Sequence, residues 1–231
     1  SLLDGGTSYV DLATLAMNSD RHFELYYAIS GSGAICNPVN PRLALDDIAY
    51  IMTHAEDTIL FADPGFAPLV EQLAPHIAGC VRTVVLLGTE AEMRDLHLVP
   101  GMTLLCYETL MAGVDEDFDW PQFEETTASS LCYTSGTTGR PKGVLYSHRS
   151  MVLHAMLQNF ADTTSLRAID RVLMLVPMFH ANAWCMPYAA PMAGASLVLP
   201  GRHLDPATII SLANGERCTL SFGVPTLWLN L

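Results

Sequence analysis

Short apolar runs alternate with helical segments in the first part of the chain, and this alternation constrains the fold more than any other feature. Thr58–Ala62 and Arg82–Leu87 have the length and composition of strands, and Phe66–Ile77 between them is a predicted helix. The turn residues Asp63-Pro64-Gly65 separate the first strand from the helix. Because a helix between two strands returns the chain to the same edge of a sheet, the pattern predicts parallel pairing. The expected fold class is α/β, with helices packed on largely parallel β-sheets.

The rest of the chain contains further strands and helices of the same kinds. The other predicted strands are Tyr9–Met17, Ser129–Thr134, Val144–Ser147 and Cys218–Gly223. The other predicted helices are Arg21–Gly31, Leu45–Ala55, Ser150–Phe160 and a segment that begins at Asp205-Pro206, with Asp205 as its N-cap.

An acidic segment with little periodicity divides the sequence. It spans residues 113–127 and contains Asp115, Glu116, Asp117, Asp119, Glu124 and Glu125. We predict that it is a solvated connection between a first βα subdomain, residues 1–112, and a second subdomain, residues 128–231.

The charge balance limits the partners of this chain. Twenty-four acidic and eleven basic residues give a net charge of −13, and half of the residues are apolar. Such a surface repels the phosphates of nucleic acids and disfavours a basic membrane-binding face. Any bound anion must therefore be held by a local arrangement of donors.

One uncharged stretch, residues 172–201, is long enough to cross a bilayer. Prolines, a glycine and two polar residues interrupt it, namely Pro177, Pro187, Pro191, Gly194, His180 and Asn182. Lipid-exposed helices tolerate such residues poorly. We therefore predict a buried strand, loop, helix and second strand rather than a transmembrane segment.

The six cysteines are too widely spaced for a zinc site, because the closest of them lie 26 positions apart. Most have apolar neighbours, as in Leu104-Leu105-Cys106. This pattern predicts buried free thiols in a reducing compartment, and hence a cytoplasmic protein.

The segment from Tyr133 to Gly143, YTSGTTGRPKG, carries most of the chemical information. Its three glycines permit sharp turns with exposed backbone N–H groups, and its run of hydroxyl side chains adds donors. Lys142 adds a positive charge that can reach a phosphate. These groups predict a polyphosphate-binding loop between two strands, the alternative being an ordinary glycine-rich hairpin. The loop is not a Walker A motif, because Pro141 precedes the lysine and Gly143 follows it.

This loop resembles the phosphate-binding motif of the adenylate-forming superfamily, and other segments are similar to the fatty-acyl-CoA synthetase branch of that superfamily. The similar segments are VLYSHR at 144–149, VPMFHANAWC at 176–185, LPGR at 199–202, LDP at 204–206, NPRL at 40–43 and GVPT at 223–226. The resemblance implies the α/β fold of the large N-terminal domain of these enzymes.

The resemblance also implies roles for individual residues. The phosphates of ATP are expected at the loop residues Thr134, Ser135, Gly136, Thr137, Thr138, Gly139 and Lys142. Thr134 is expected to contribute to Mg²⁺ binding, and His180 to lie beside the acyl carboxylate and the α-phosphate as a catalytic residue. Trp184 matches a gate of the acyl tunnel. A lone histidine is more often a structural core residue. The neighbouring Phe179 and Trp184, which match the family motif, favour a functional role for His180.

The reaction implied by the resemblance is an ATP-dependent acyl-CoA synthesis. A carboxylic acid, here of the fatty-acid type, becomes an acyl adenylate, and the thiol of coenzyme A then forms the thioester. ATP, Mg²⁺ and coenzyme A are the expected cofactors, and a homodimer is expected.

Later family motifs have no match in the 231 residues, namely the adenine and ribose segments, the hinge and the C-terminal lysine. The chain is therefore expected to be part of the large N-terminal domain and to be inactive alone. The alternatives are a methylthioalkanoate- or aryl-CoA ligase and, for the isolated chain, a non-catalytic nucleotide-binding fragment.

Overall fold

The computed structural model describes residues 11–115, 117–134, 139–229 and 231. The strands of its larger sheet are β1 (Asp11–Leu15), β2 (Ile35–Pro38), β3 (Ile59–Ala62), β4 (Thr83–Leu86), β5 (Thr103–Cys106), β6 (Ala128–Thr134) and β7 (Lys142–Ser147). Their spatial order is β5-β4-β3-β1-β2-β6-β7. β6 and β7 form an antiparallel hairpin, and the other pairs recorded between described strands of this sheet are parallel. The predicted α/β class with a largely parallel sheet is confirmed.

A second, smaller sheet contains β8 (Arg171–Met174), β9 (Ser196–Val198) and β10 (Leu220–Phe222), in the order β10-β8-β9 and all parallel. The helices are α1 (Asp20–Gly31), α2 (Leu45–His54), α3 (Ala67–Ile77), α4 (Glu90–Met93), α5 (Tyr107–Ala112), α6 (His148–Gln158), α7 (Met186–Met192), α8 (Pro206–Gly215) and α9 (Pro225–Trp228).

The larger sheet is covered on both faces. On one face, Ile51 of α2 and Leu73 of α3 are buried in a cluster with Leu60 of β3. On the other face, Tyr26 of α1 shares a core with Met174 of β8 and Met186 of α7. All four residues of β3 are buried, as expected for a parallel strand between two layers.

The predicted elements are present with ends shifted by a few residues, but two strands were not predicted. β2 contains Asn37 and ends at Pro38, residue types that are rare in strands, and it is a strand because it pairs with β1 and β6. The other missed strand is the short β5. Asp205 is confirmed as the N-cap of α8, since its side chain accepts a hydrogen bond from the Thr208 amide at 3.0 Å. Residues 9 and 10 of the first predicted strand lie outside the described residues.

The uncharged stretch contains most of β8, a loop, α7 and β9, as predicted. The expectation that all of them are buried is wrong for β9, whose residues are exposed or half-buried because it is an edge strand of the smaller sheet. Across the described ranges, no helix combines the length and the apolarity that spanning a membrane requires. All six cysteines are free, four of them buried and two half-buried.

The subdomain boundary at 113–127 stays a prediction. Strands from both sides of this segment share the larger sheet. Trp120 from the segment packs so closely on α1 that a Cβ at Gly31 would lie 2.5 Å from the indole ring.

Three polar side chains meet near the amino ends of the parallel strands. The carboxylate of Asp57 accepts a hydrogen bond from Asn37 Nδ2 at 2.7 Å, and its other oxygen has no partner among the described residues. Burial raises the pKa of Asp57 well above its ordinary value, and neighbouring Asp11 raises it further. Burial and the charge of Glu56 raise the pKa of Asp11 from 3.8 to about 6. Both groups bind protons more tightly when folded, so each destabilises the fold increasingly as the pH rises above 3.8, for Asp11 up to a folded pKa of about 6 and for Asp57 up to its own raised pKa.

Asp57→Asn should therefore stabilise the protein at neutral and alkaline pH. The amide cannot ionise, yet its oxygen can still accept from Asn37. We expect Tm at pH 8 to rise by at least about 3 °C, because about 1 kcal/mol shifts Tm by roughly 2–4 °C in a chain of this size. Thermal melts between about pH 5 and pH 8 test this, with exposed Asp162→Asn as the control. A variant with the same Tm and the same pH dependence as the parent would contradict the assignment.

Candidate active site

A cleft of about 260 Å³ opens where β2 and β6 end. The carboxyl ends of parallel strands form the edge at which open α/β sheets bind ligands. Thr134 and Gly139 line this cleft from the β6–β7 hairpin, and His180 lines it from the loop after β8. Asn40 and Asp47 line the opposite wall. Two predicted site residues from the hairpin and one from a distant loop therefore line one space.

The remaining predicted phosphate-loop residues lie elsewhere or outside the described ranges. Lys142 is exposed, pairs with Thr134 across the hairpin and is not among the residues that line the cleft. Ser135, Gly136, Thr137 and Thr138 lie outside the described residues.

The base of the hairpin is packed against α2. The Tyr133 hydroxyl lies 2.7 Å from His54 Nδ1, and the Arg140 guanidinium lies 4.8 Å from the centre of the Tyr50 ring. Burial is the main cause that raises the pKa of Tyr133, so the phenol stays neutral. Gly139 has φ +107°, a conformation that strongly favours glycine, and a Cβ there would meet nothing within 4 Å. Glycine is needed there for its backbone conformation.

The chain after His180 forms an unusual left-handed turn. Five consecutive residues, Ala181 to Cys185, have φ between +46° and +64°, and none of them is glycine. Each such residue costs roughly 1–2 kcal/mol, so the turn persists only because neighbouring elements hold it. Asn182 Nδ2 donates to Ser130 Oγ of β6 at 3.1 Å, and Cys185 Sγ donates to the Met151 carbonyl of α6 at 3.4 Å.

Trp184 lies at the end of this turn and outside the cleft. Its side chain is 41% exposed, and its carbonyl accepts a 3.5 Å hydrogen bond from Gln158 Nε2 of α6. The predicted gate role stays a prediction.

Asn18, which the sequence did not single out, holds the loop that carries His180. Its Nδ2 donates to the Met174 and Val176 carbonyls at 2.8 and 2.9 Å, and its Oδ1 accepts from the Met178 amide at 2.7 Å. The side chain is buried, and Asn18 lies three positions after the end of β1. The only available signal was a polar residue directly after the predicted strand Tyr9–Met17.

A second cleft, of about 610 Å³, lies at the carboxyl ends of β1, β3 and β4. The connections from β1 and β3 leave in opposite directions, which makes this a topological switch point. Three arginines line it, Arg21, Arg42 and Arg202, together with His203 and the carboxylates of Asp63 and Glu92. Arg21 is paired with Glu108 at 2.5 Å, whereas Arg202 forms no salt bridge with a described residue. No sequence pattern predicted this group of arginines in an otherwise acidic chain.

Curated relatives are CoA ligases. A 3-methylmercaptopropionyl-CoA ligase from Ruegeria pomeroyi is 48% identical over 220 residues, which are 95% of this chain and 40% of that protein. A medium-chain-fatty-acid–CoA ligase from Ectopseudomonas oleovorans is 46% identical, over 95% of this chain and 39% of its own length. A long-chain-fatty-acid–CoA ligase from Thermus thermophilus is 45% identical, over 95% of this chain and 38% of its own length. The chain thus spans about 40% of the length of these relatives.

Solved structures agree with the fold. The anthranilate CoA ligase AuaEII, in complex with anthranoyl-AMP, has a TM-score of 0.79 at 23% identity, over 95% of this chain and 41% of that chain. ATP-bound MatB from Rhodopseudomonas palustris has a TM-score of 0.75 at 26% identity, over 97% of this chain and 41% of that chain. Residues 2–231 match the family described as AMP-binding enzyme. The chain therefore belongs to the AMP-binding enzyme family.

Proposed function

We propose that this chain carries the ATP-binding and acid-activating part of an acyl-CoA ligase. The observation that carries the proposal is the cleft that Thr134 and Gly139 of the phosphate loop line together with His180. Adenylation requires phosphate-binding donors and a carboxylate-binding group around one space. The activities of the related CoA ligases support this assignment.

The phosphate loop and His180 have defined parts in the proposed reaction. A carboxylate oxygen attacks the α-phosphorus of ATP and pyrophosphate leaves, which yields an acyl adenylate. The loop 134–142 would hold the departing phosphates through backbone N–H groups, and Lys142 would add positive charge. His180 would donate a hydrogen bond to the carboxylate or to an α-phosphate oxygen. The thiol of coenzyme A then attacks the acyl carbon and AMP leaves.

The residues present fit Mg²⁺ as a partner of ATP. Thr134 is exposed at the cleft, and its hydroxyl is only weakly engaged, 3.5 Å from the Lys142 carbonyl. Within the described ranges, no group of three or more His, Cys, Asp and Glu side chains could hold a metal ion. Thr134 would therefore supply one ligand, with phosphate oxygens and water as the others, a mixture that suits Mg²⁺. The ion would neutralise phosphate charge.

The acid is proposed to be of the fatty-acid type, with methylthioalkanoates as the second candidate. The names of the related ligases favour both, since they include a 3-methylmercaptopropionyl-CoA ligase and medium- and long-chain ligases at similar identities. Aryl acids remain a third candidate. Homodimer assembly and a cytoplasmic location stay predictions from the sequence.

His180→Ala should lower the ATP–pyrophosphate exchange rate of the complete gene product by about 10²-fold, the loss typical of one preorganised donor. A panel of straight-chain, methylthio and aryl acids measures exchange in the parent and the variant. The control is His154→Ala, an exposed histidine on α6 that contacts Gln158. No exchange with any acid in the parent would contradict the ligase proposal, and unchanged exchange in His180→Ala would contradict the role of this histidine.

Trp184→Ala should change the preference among acids more than the stability. If the indole gates the acyl site, the ratio of kcat/KM for short and long acids should shift by about tenfold, whereas a 41% exposed ring contributes little to Tm. Trp228→Ala is the matched control, because that ring is 44% exposed. A large drop in Tm with unaltered acid preference would identify Trp184 as a packing residue instead.

Arg202→Ala should affect the second step alone. We assign the second cleft to the phosphates of coenzyme A, since three arginines line it in an acidic chain and Arg202 forms no salt bridge with a described residue, although Asp63 and Glu92 also line the cleft. The KM for coenzyme A should rise about fivefold, equivalent to ~1 kcal/mol for one exposed charge contact, while pyrophosphate exchange stays constant. Exposed Arg82→Ala, next to the start of β4, is the control. A changed exchange rate with an unchanged KM for coenzyme A would refute the assignment.

A further inference from the structure

We propose that Asn182 is a positioning residue that holds His180 at the cleft through a hydrogen bond to the strand that leads into the phosphate loop. This inference rests on the proposed ligase function and adds a residue that acts through His180 without contacting the reacting groups.

The contact joins the two halves of the candidate site directly. Asn182 is 4% exposed, and its Nδ2 donates to Ser130 Oγ at 3.1 Å. Ser130 is 2% exposed and belongs to β6, whose last residue is the cleft residue Thr134. The segment that carries His180 is thus tied to the strand that carries the phosphate loop.

The left-handed turn explains why this tie matters. Its reversed hand distributes neighbouring side chains among three environments: His180 lines the cleft, Asn182 is buried against β6, and Trp184 is half exposed beside α6. Asparagine visits the left-handed region more readily than most residues, so Asn182 combines a tolerated backbone conformation with a side chain that anchors it.

Without the anchor, the strained turn is free to relax toward right-handed backbone and to move His180. The Ala183 amide donates to the His180 carbonyl at 3.0 Å, so a change in the turn is transmitted directly to His180. Displacing a reacting or orienting group by about 1 Å can cost up to about 10²-fold in rate.

Two variants remove the hydrogen bond from opposite sides. Ser130→Ala leaves Asn182 intact, and Asn182→Gly keeps a residue that adopts positive φ while it removes the carboxamide. In the complete gene product, each should lower kcat for ATP–pyrophosphate exchange about tenfold, with KM for ATP changed by less than about twofold. The double variant should be no slower than either single variant, because both remove one contact. Ser130→Thr, which retains the hydroxyl, should keep parental kcat.

Asn159→Ala is the matched control. Its Nδ2 donates to the Ala189 carbonyl at 2.9 Å, an equivalent bond between α6 and α7 outside the cleft, so its loss should lower Tm and leave kcat unchanged. The inference would be overturned if Ser130→Ala and Asn182→Gly kept the parental kcat or lost only Tm. Multiplicative losses of kcat in the double variant would overturn it as well. A parent protein that exchanges pyrophosphate with no acid would instead overturn the proposed function itself.

Discussion

The arrangement of the candidate site depends on the buried side chain of Asn18. Three hydrogen bonds connect it to Met174, Val176 and Met178, more than 150 positions away in the sequence. The backbone of Asn18 also accepts a hydrogen bond from the Gly201 amide at 2.9 Å. An unsatisfied buried donor or acceptor costs about 1–3 kcal/mol, so these bonds strongly favour one position of the second sheet on the first. Because His180 follows Met178 by two residues, the same bonds restrict its position relative to the proposed phosphate loop.

The two clefts at this sheet edge share a wall. Arg42 lines the second cleft, and its guanidinium lies 5.5 Å from the centre of the ring of Phe179, which lines the cleft of His180. In the proposed two-step reaction such proximity would be useful, because an adenylate formed in one cleft would have to meet a thiol that arrives through the other. Since the chain as a whole has a charge of −13, the proposed anionic substrates would depend on local donors: the loop 134–142 in one place, and the arginines in the other.

Part of the site could be predicted from the sequence because its chemistry is contiguous. The loop from Thr134 to Lys142 contains its glycines, hydroxyls and lysine in one run, and the hairpin that flanks it follows from two short apolar strands. His180 was predicted through the similarity of its surrounding segment, and the structure brings it to the same cleft as Thr134. The second cleft was not predicted, because its arginines come from three separate segments of the chain.

The sequence by itself determined the local elements: the alternation of strands and helices, the N-cap at Asp205 and the glycine-rich hairpin. These depend on periodicity, turn residues and capping, which act over a few neighbouring positions. Only the tertiary structure decided that Ile35–Pro38 is a strand, that Asn18 bridges the two sheets, and that the chain after His180 turns left-handed. In each case a residue either adopts a conformation that its own propensity disfavours or forms a contact that no local pattern reveals. Hydrogen bonds to distant elements stabilise these conformations and contacts, and such bonds form only when the whole fold is in place.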